Sequence, residues 1–309
     1  MLMHKWESLN MGICVLVVRC IKMNTKYIIG IIVALIIIVG AYMVFAGSSS
    51  SKVTIVGSTS VQPVAESLAT AYMKEHPSVK ITVQGGGTAV GIKSAHDGTA
   101  NIGTASSSLT ANDSAGLTQY TLGQDGVVAI VSNNNSISGL TKAQLKGIFS
   151  GNITNWNQVG GPNAKINVIV REEGSGTRDA FQSLVLGKAA NGTKVDFVKS
   201  AIVQSSTEAV QQAVSQDPNA IGFISFASLS NQTKGLTVDG ISASVATIAD
   251  GSYTVQRPFL FLVKGDAKGD VKAFIDWVMG PEGQAILTQN KIVKSTNSTN
   301  STNSTNSTK

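Results

Sequence analysis

Cysteine stops at Cys20. Of 309 residues only Cys14 and Cys20 are cysteines, so the long remainder has neither a disulfide framework nor a cysteine-held metal site. Histidine is almost as scarce, with only His76 and His96 beyond residue 47. His76 closes a helical pattern as His-Pro and His96 precedes Asp97-Gly98. Both read as solvated, which leaves a Ser-His-Asp triad without its base. Charged residues make up 14% of the chain and aromatics 6%. Of the formal net charge of +6, Lys5, Arg19, Lys22 and Lys26 against Glu7 supply three before residue 47. The rest carries no basic stripe, which argues against a nucleic-acid partner. No Gly-Lys-Ser/Thr follows a glycine run, excluding a P-loop. Gly174-Ser175-Gly176 lacks the Gly-x-Ser-x-Gly spacing of a hydrolase elbow. No cofactor and no metal are expected.

Uncharged length is abundant near the start. Residues 27–46, YIIGIIVALIIIVGAYMVFA, contain no charge and are long enough to cross a bilayer core as a helix. Residues 1–26 end in Lys22 and Lys26 and should stay cytoplasmic, with everything beyond 47 exported. A retained anchor is expected in preference to a signal segment cut near Ala46. Residues 47–51, GSSSS, read as a flexible linker. The stretch 295–309 repeats Ser-Thr-Asn with nothing apolar to bury and is expected to be disordered. It carries glycosylation triplets at Asn297, Asn300, Asn303 and Asn306. Others stand at Asn112, Asn134, Asn152, Asn191 and Asn231.

Between the tethers, short apolar runs alternate with helical patterns. VTIVG (53–57) reads as a buried strand. The following helical pattern puts Val61, Val64, Ala65, Leu68, Ala69 and Tyr72 on one face. VKITVQG is a strand, AVGIKSAHDG a short helix and ANIGTA a strand, an order that predicts a parallel sheet covered by helices. Further strands are expected in DGVVAIVSN (125–133), INVIVRE, AIGFISF (220–226) and RPFLFLVK (257–264). Further helices are expected in LTKAQLKGIFSG (140–151), GTRDAFQSLVLG, TEAVQQAVSQDP and the segment after Asp270. Two α/β units fit this count. The first is 52–126 with 256–294 and the second is 127–255, with crossing segments near 124–130 and 250–258 acting as a hinge.

Three strand ends run into glycine, serine or threonine just before a helix: Ser58-Thr59-Ser60, Gly87-Thr88-Ala89 and REEGSGTRDA (171–180). Such junctions offer unpaired backbone N–H groups, the positive end of a helix dipole and hydroxyl donors. Arg171 is the formal cation among them, since the helix pattern carries Arg178 outward. Its planar fork suits two oxygens of a tetrahedral anion. In an extended chain Arg171 and Glu173 share a face, so Glu173 is expected to hold the guanidinium while Glu172 points away. Helix capping alone explains any one such junction. Three in one chain, one with an arginine, favour an anion site.

The segments GSTSVQP (57–63), QGGGTAVGIK (84–93), NIGTASSSL (101–109), LKGIFSGNITNW (145–156) and REEGSGTRDAF (171–181) resemble the phosphate-binding receptors of phosphate ABC transporters, and the resemblance runs from 53 to about 292. It implies a type II periplasmic-binding-protein-like α/β fold of two lobes that close on inorganic phosphate. It also implies docking on ABC-transporter permease subunits; a monomer is expected, held to the membrane by its N-terminal helix and making or breaking no bond. The implied ligand contacts are Thr59, Ser60, Thr88, Ser106, Arg171, Ser175, Gly176 and Thr177, with Glu173 in support. Ser106 departs from an aspartate found in some members, which accepts the proton of hydrogen phosphate and so rejects sulfate. Asp125 is an alternative acceptor. The competing expectations are a receptor for another oxyanion such as sulfate, a secreted phosphate-ester hydrolase and a surface adhesion module.

Overall fold

The computed structural model describes residues 29–30, 32–37 and 51–294. Residues 29–30 and 32–37 are helical and exposed. The rest of the expected span 27–46 lies outside the described residues, as do residues 1–26, the linker up to residue 50 and the tail 295–309. Among the described residues no helix is long and apolar enough to cross a membrane.

Residues from 51 onward form an α/β body. In chain order the strands are β1 (Ser51–Gly57), β2 (Val79–Gly85), β3 (Ile102–Ala105), β4 (Leu117–Ser132), β5 (Gly139–Leu140) and β6 (Asn167–Arg171). They continue with β7 (Ile202–Gln204), β8 (Ala220–Ser225), β9 (Thr233–Gly235), β10 (Thr237–Val238) and β11 (Gln256–Lys264). The main sheet runs β2-β1-β3-β11-β4-β8-β6-β7, with β9 also on β4, and β5 pairs β10 separately. Strands β1, β2 and β3 are parallel, while β11 lies antiparallel between β3 and β4.

Strand β4 is the shared member. Its first part pairs with β11 from Leu117↔Lys264 to Gly126↔Gln256, and its second pairs with β8 from Val127↔Ser225 to Val131↔Ile221. The buried apolar residues divide at the same point. One cluster draws on 53–122 and 259–292, and a smaller one on 95–117 and 260–262. The two others draw on 127–255 and 128–224, with Val293 the one addition from outside that stretch. These are two lobes with separate cores.

Local sequence explains the elements that frame the site. The helix Gln62–Glu75 starts with Pro63 in its first turn, where a missing N–H costs nothing, and buries Val64, Ala65, Leu68, Ala69 and Tyr72. The helix Thr88–Asp97 lies close on β1 and β3. A Cβ added at Gly91 would come within 3.0 Å of the Gly57 Cα and closer still to the Thr104 carbonyl oxygen. In the other lobe Phe181 stacks on Phe223 with ring centroids 4.2 Å apart, and Phe149 meets Phe181 edge-on at 4.7 Å. That stack holds the short helix Gly176–Phe181 against the sheet.

The strand expected at 125–133 is longer than its apolar run, because LTQYTLGQ extends it back to Leu117 along β11. The helical segment after Asp270 is two helices, Gly269–Met279 and Pro281–Gln289, broken at Gly280 before the proline.

Candidate functional site

The strand ends converge. From β1, Ser60 Oγ lies 2.8 Å from Thr177 Oγ1 of the REEGSGTRDA loop. From β2, Thr88 Oγ1 accepts the Ser106 N–H at 3.1 Å, and its hydroxyl lies 3.4 Å from Ser106 Oγ. Ser58 Oγ donates to Ser106 Oγ at 2.8 Å, which leaves Ser106 with its own proton to give on. Gly176 sits directly against this pair: a Cβ there would meet Ser106 Oγ at 2.8 Å and Thr88 Oγ1 closer still. The Ala89 N–H donates to the Gly174 carbonyl at 3.0 Å, joining two of the loops through their backbones. Thr59, Ser60, Thr88, Ser106, Arg171, Ser175 and Thr177 are all buried despite their polarity.

Capping accounts for part of the pattern. Ser175 Oγ accepts the Arg178 N–H at 3.4 Å, so Ser175 joins the cluster as the cap between Arg171 and Gly176. Thr88 makes no cap. Gly87 precedes that helix, and the Thr88 hydroxyl is turned toward Ser106.

Sequence reasoning missed a fourth junction. Strand β7 ends at Gln204, Ser206 caps the helix Thr207–Gln216, and Thr207 is buried at its first position. Thr207 Oγ1 lies 2.9 Å from Ser60 Oγ and 3.5 Å from Thr59 Oγ1, and accepts from Arg171 Nη1 at 3.3 Å. The run Ser205-Ser206-Thr207 that opens into EAVQQAV was the available signal. It lacks the glycine that marks the other three junctions.

Arg171 is 2% exposed as a side chain. Its Nε and Nη2 donate to Glu172 Oε2 and Oε1 at 2.8 and 2.7 Å, a two-point pairing. The expected partner, Glu173, is corrected to Glu172. Strand β6 ends at Arg171 and the chain turns there, with the Ser175 N–H on the Glu172 carbonyl, so the alternation that put residues 171 and 173 on one face no longer holds. Arg178 is not carried outward either. Its Nη1 donates to the Arg171 carbonyl at 2.9 Å and its guanidinium lies over the Phe197 ring.

Asp125 does not stand in the cluster as an alternative proton acceptor. Its Oδ1 accepts from Ser225 Oγ at 2.9 Å and from the Ala227 N–H at 3.1 Å, and its Oδ2 lies 3.1 Å from Arg257 Nη2. That last contact is an ion pair outside hydrogen-bond alignment, because both atoms are buried without a hydrogen-bond partner. Arg257 Nη1 donates to the Ser106 carbonyl oxygen. Burial pushes the Asp125 carboxyl above its ordinary range and the Arg257 guanidinium down to about 10, and each charge opposes the other's shift. Arg257 is a second buried cation beside the cluster. Among the described residues no group of three His, Cys, Asp or Glu is placed to hold a metal.

Two α/β lobes sharing a strand, with helix-opening loops meeting between them, define a solute-binding protein. The profile described as "PBP superfamily domain" matches residues 45–282. Phosphate-binding protein PstS of Bacillus subtilis is 29% identical over 81% of this chain and 82% of its own length. PstS of Borreliella burgdorferi is 30% identical over 77% of this chain and 88% of its own. Among solved structures, a putative phosphate ABC transporter substrate-binding protein from Clostridium perfringens, with bound phosphate, superposes with a TM-score of 0.75. It is 37% identical and covers 79% of this chain and all of its own. An ABC-type phosphate transport receptor from Vibrio cholerae gives a TM-score of 0.65 at 34% identity and the same coverage. The chain belongs to the PBP superfamily and, within it, to the phosphate-binding solute-binding proteins of phosphate ABC transporters.

Proposed function

We propose that this protein is an extracytoplasmic receptor that takes inorganic phosphate between its two lobes and delivers it to the permease of an ABC transporter. It is a binding protein and not an enzyme, as its relatives are transport receptors. The observation that carries the reading is the meeting of four hydroxyl-bearing junctions around one buried guanidinium. Neutral donors supply most of the contacts, and hydrogen bonds to a charged partner contribute about 1.5–3 kcal/mol each. The contacts assigned are Thr59, Ser60, Thr88, Ser106, Arg171, Ser175, Gly176 and Thr177, joined by Thr207. The lobes, 52–126 with 256–294 and 127–255, close about the segments near 124–130 and 250–258. The division of the apolar cores at β4 supports that hinge.

The export side is part of the same reading. The uncharged run 27–46 holds the chain to the membrane, the residues after it reach the permease, and the triplets at Asn297, Asn300, Asn303 and Asn306 carry glycans on the exterior.

Ser106 decides selectivity. With both Glu172 oxygens taken by Arg171, the proton of hydrogen phosphate falls to a hydroxyl oxygen, and Ser106 Oγ has a second lone pair beyond the one that takes the Ser58 proton. Calorimetric titration of the purified protein with phosphate and then sulfate tests the proposal. Phosphate is expected to bind tighter, and Arg171→Ala to cost at least about tenfold, or about 1.4 kcal/mol. Equal affinity for the two anions turns the reading into a general oxyanion receptor, and no binding of either refutes it.

A further inference from the structure

The pair Asp125–Arg257 lies outside the loops that carry the family's phosphate contacts, yet it touches them. Arg257 stands on β11 and Asp125 directly opposite it on β4, the two strands that run through the junction of the lobes. The Arg257 side chain is 2% exposed and that of Asp125 0%, so neither charge is relieved by water. Two nitrogens of Arg257, Nε and Nη2, are buried without a hydrogen-bond partner. The third, Nη1, reaches the Ser106 carbonyl. Ser106 in turn shares hydrogen bonds with Ser58 and Thr88 and packs against Gly176. The guanidinium is therefore one peptide group away from the hydroxyl cluster. The carboxylate faces the other way, onto Ser225 and Ala227 at the end of β8.

A buried pair with its positive end toward a pocket acts as a fixed dipole. In an interior of low polarizability such a charge is felt over several ångströms. A helix terminus offers partial charge of about half a unit, whereas a guanidinium offers a whole one, reduced by whatever its partner takes back. Arg171 adds to the lowering of the Arg257 pKa, so the two guanidinium groups sense one another. A dianion between them relieves that repulsion.

We infer that Arg257 is a positioning residue that holds Ser106 in place and lends the anion site a second positive charge, and that Asp125 sets how much of that charge the site feels. The inference rests on the receptor reading. It makes a signed claim that plain structural support does not make. If the pair merely pins the strands together, removing either partner weakens binding. If it acts by charge, the two removals have opposite effects.

The test is calorimetric titration of the full-length protein with inorganic phosphate in four forms: wild type, Arg257→Gln, Arg257→Lys and Asp125→Asn. Arg257→Gln is expected to weaken binding by about tenfold or more, a size set by one charge acting on a dianion across several ångströms of protein. Arg257→Lys keeps the charge and is expected to recover most of that loss. Asp125→Asn keeps an acceptor for Ser225 and Ala227, leaves Arg257 uncompensated and is expected to tighten binding by about threefold or more. Should Asp125→Asn prove too unstable for calorimetry, the rise in its melting temperature with phosphate reads the same sign, larger than in wild type. Weakening by Asp125→Asn overturns the inference, as does an Arg257→Lys that falls as far as Arg257→Gln. A wild type that binds no phosphate refutes the receptor reading and this inference with it. A wild type that binds, with both partners' removals weakening it, refutes only this one.

Discussion

Two buried arginines serve one cluster in different surroundings. Arg171 is paired with its sequence neighbour Glu172, whose side chain is 27% exposed, so water reaches one end of the pair. Arg257 is paired across strands with an Asp125 that is wholly enclosed. A pair with one wet end keeps a cation that a ligand can engage, and either partner can be lost at modest cost. A sealed pair is held together by mutual necessity, because losing one member strands the other's charge in the interior.

The sharpest way to break this contrast is Asp125→Ala. It is expected to destabilise the fold by about 3–5 kcal/mol in denaturant melts, since Arg257 is left without a counter-charge. A loss under about 1 kcal/mol would place the two arginines in the same class. Next comes Gly176→Ala. The added methyl meets Ser106 and Thr88, so the closed loops no longer fit, and phosphate affinity should fall by about tenfold or more, about 1.4 kcal/mol. Thr207→Val removes the hydroxyl that links Ser60 to Arg171. Calorimetry should show a loss of about 1 kcal/mol in phosphate binding. Glu172→Gln should change folding stability by no more than about 1 kcal/mol, as for an ion pair open to water. Glu173→Gln should leave phosphate affinity within about twofold, because its carboxylate is exposed and makes no bond to Arg171. A loss of phosphate affinity on Glu173→Gln greater than that on Glu172→Gln would make Glu173 the partner of Arg171 after all.

The junctions were legible because each combines a strong strand with glycine and hydroxyl residues, and that chemistry is local. Ser60 meets Thr177, and Thr88, Ser106 and Gly176 meet one another. Thr207 escaped notice because β7 is only three residues long, with Ile202 and Val203 exposed, and leaves little apolar signal. The Glu173 expectation extended strand alternation one step beyond the point where β6 ends. Arg257 was invisible for a different reason. Its role comes from Ser106 and Asp125, more than a hundred positions away, and nothing in RPFLFLVK distinguishes a buried arginine from a strand's solvated first residue. The front half of β4 was missed because LTQYTLGQ is too polar to read as buried. It is held by its pairing with β11 rather than by its own hydrophobicity.

Strand β4 runs through sixteen residues without a loop between the lobes. On the proposed closure, a parting of the halves is taken up along that strand and its companion β11, whose pairing shifts register between Phe259 and Leu260. The mouth of the receptor would then work as a sprung clasp whose jaws are kept in one register by that shared strand.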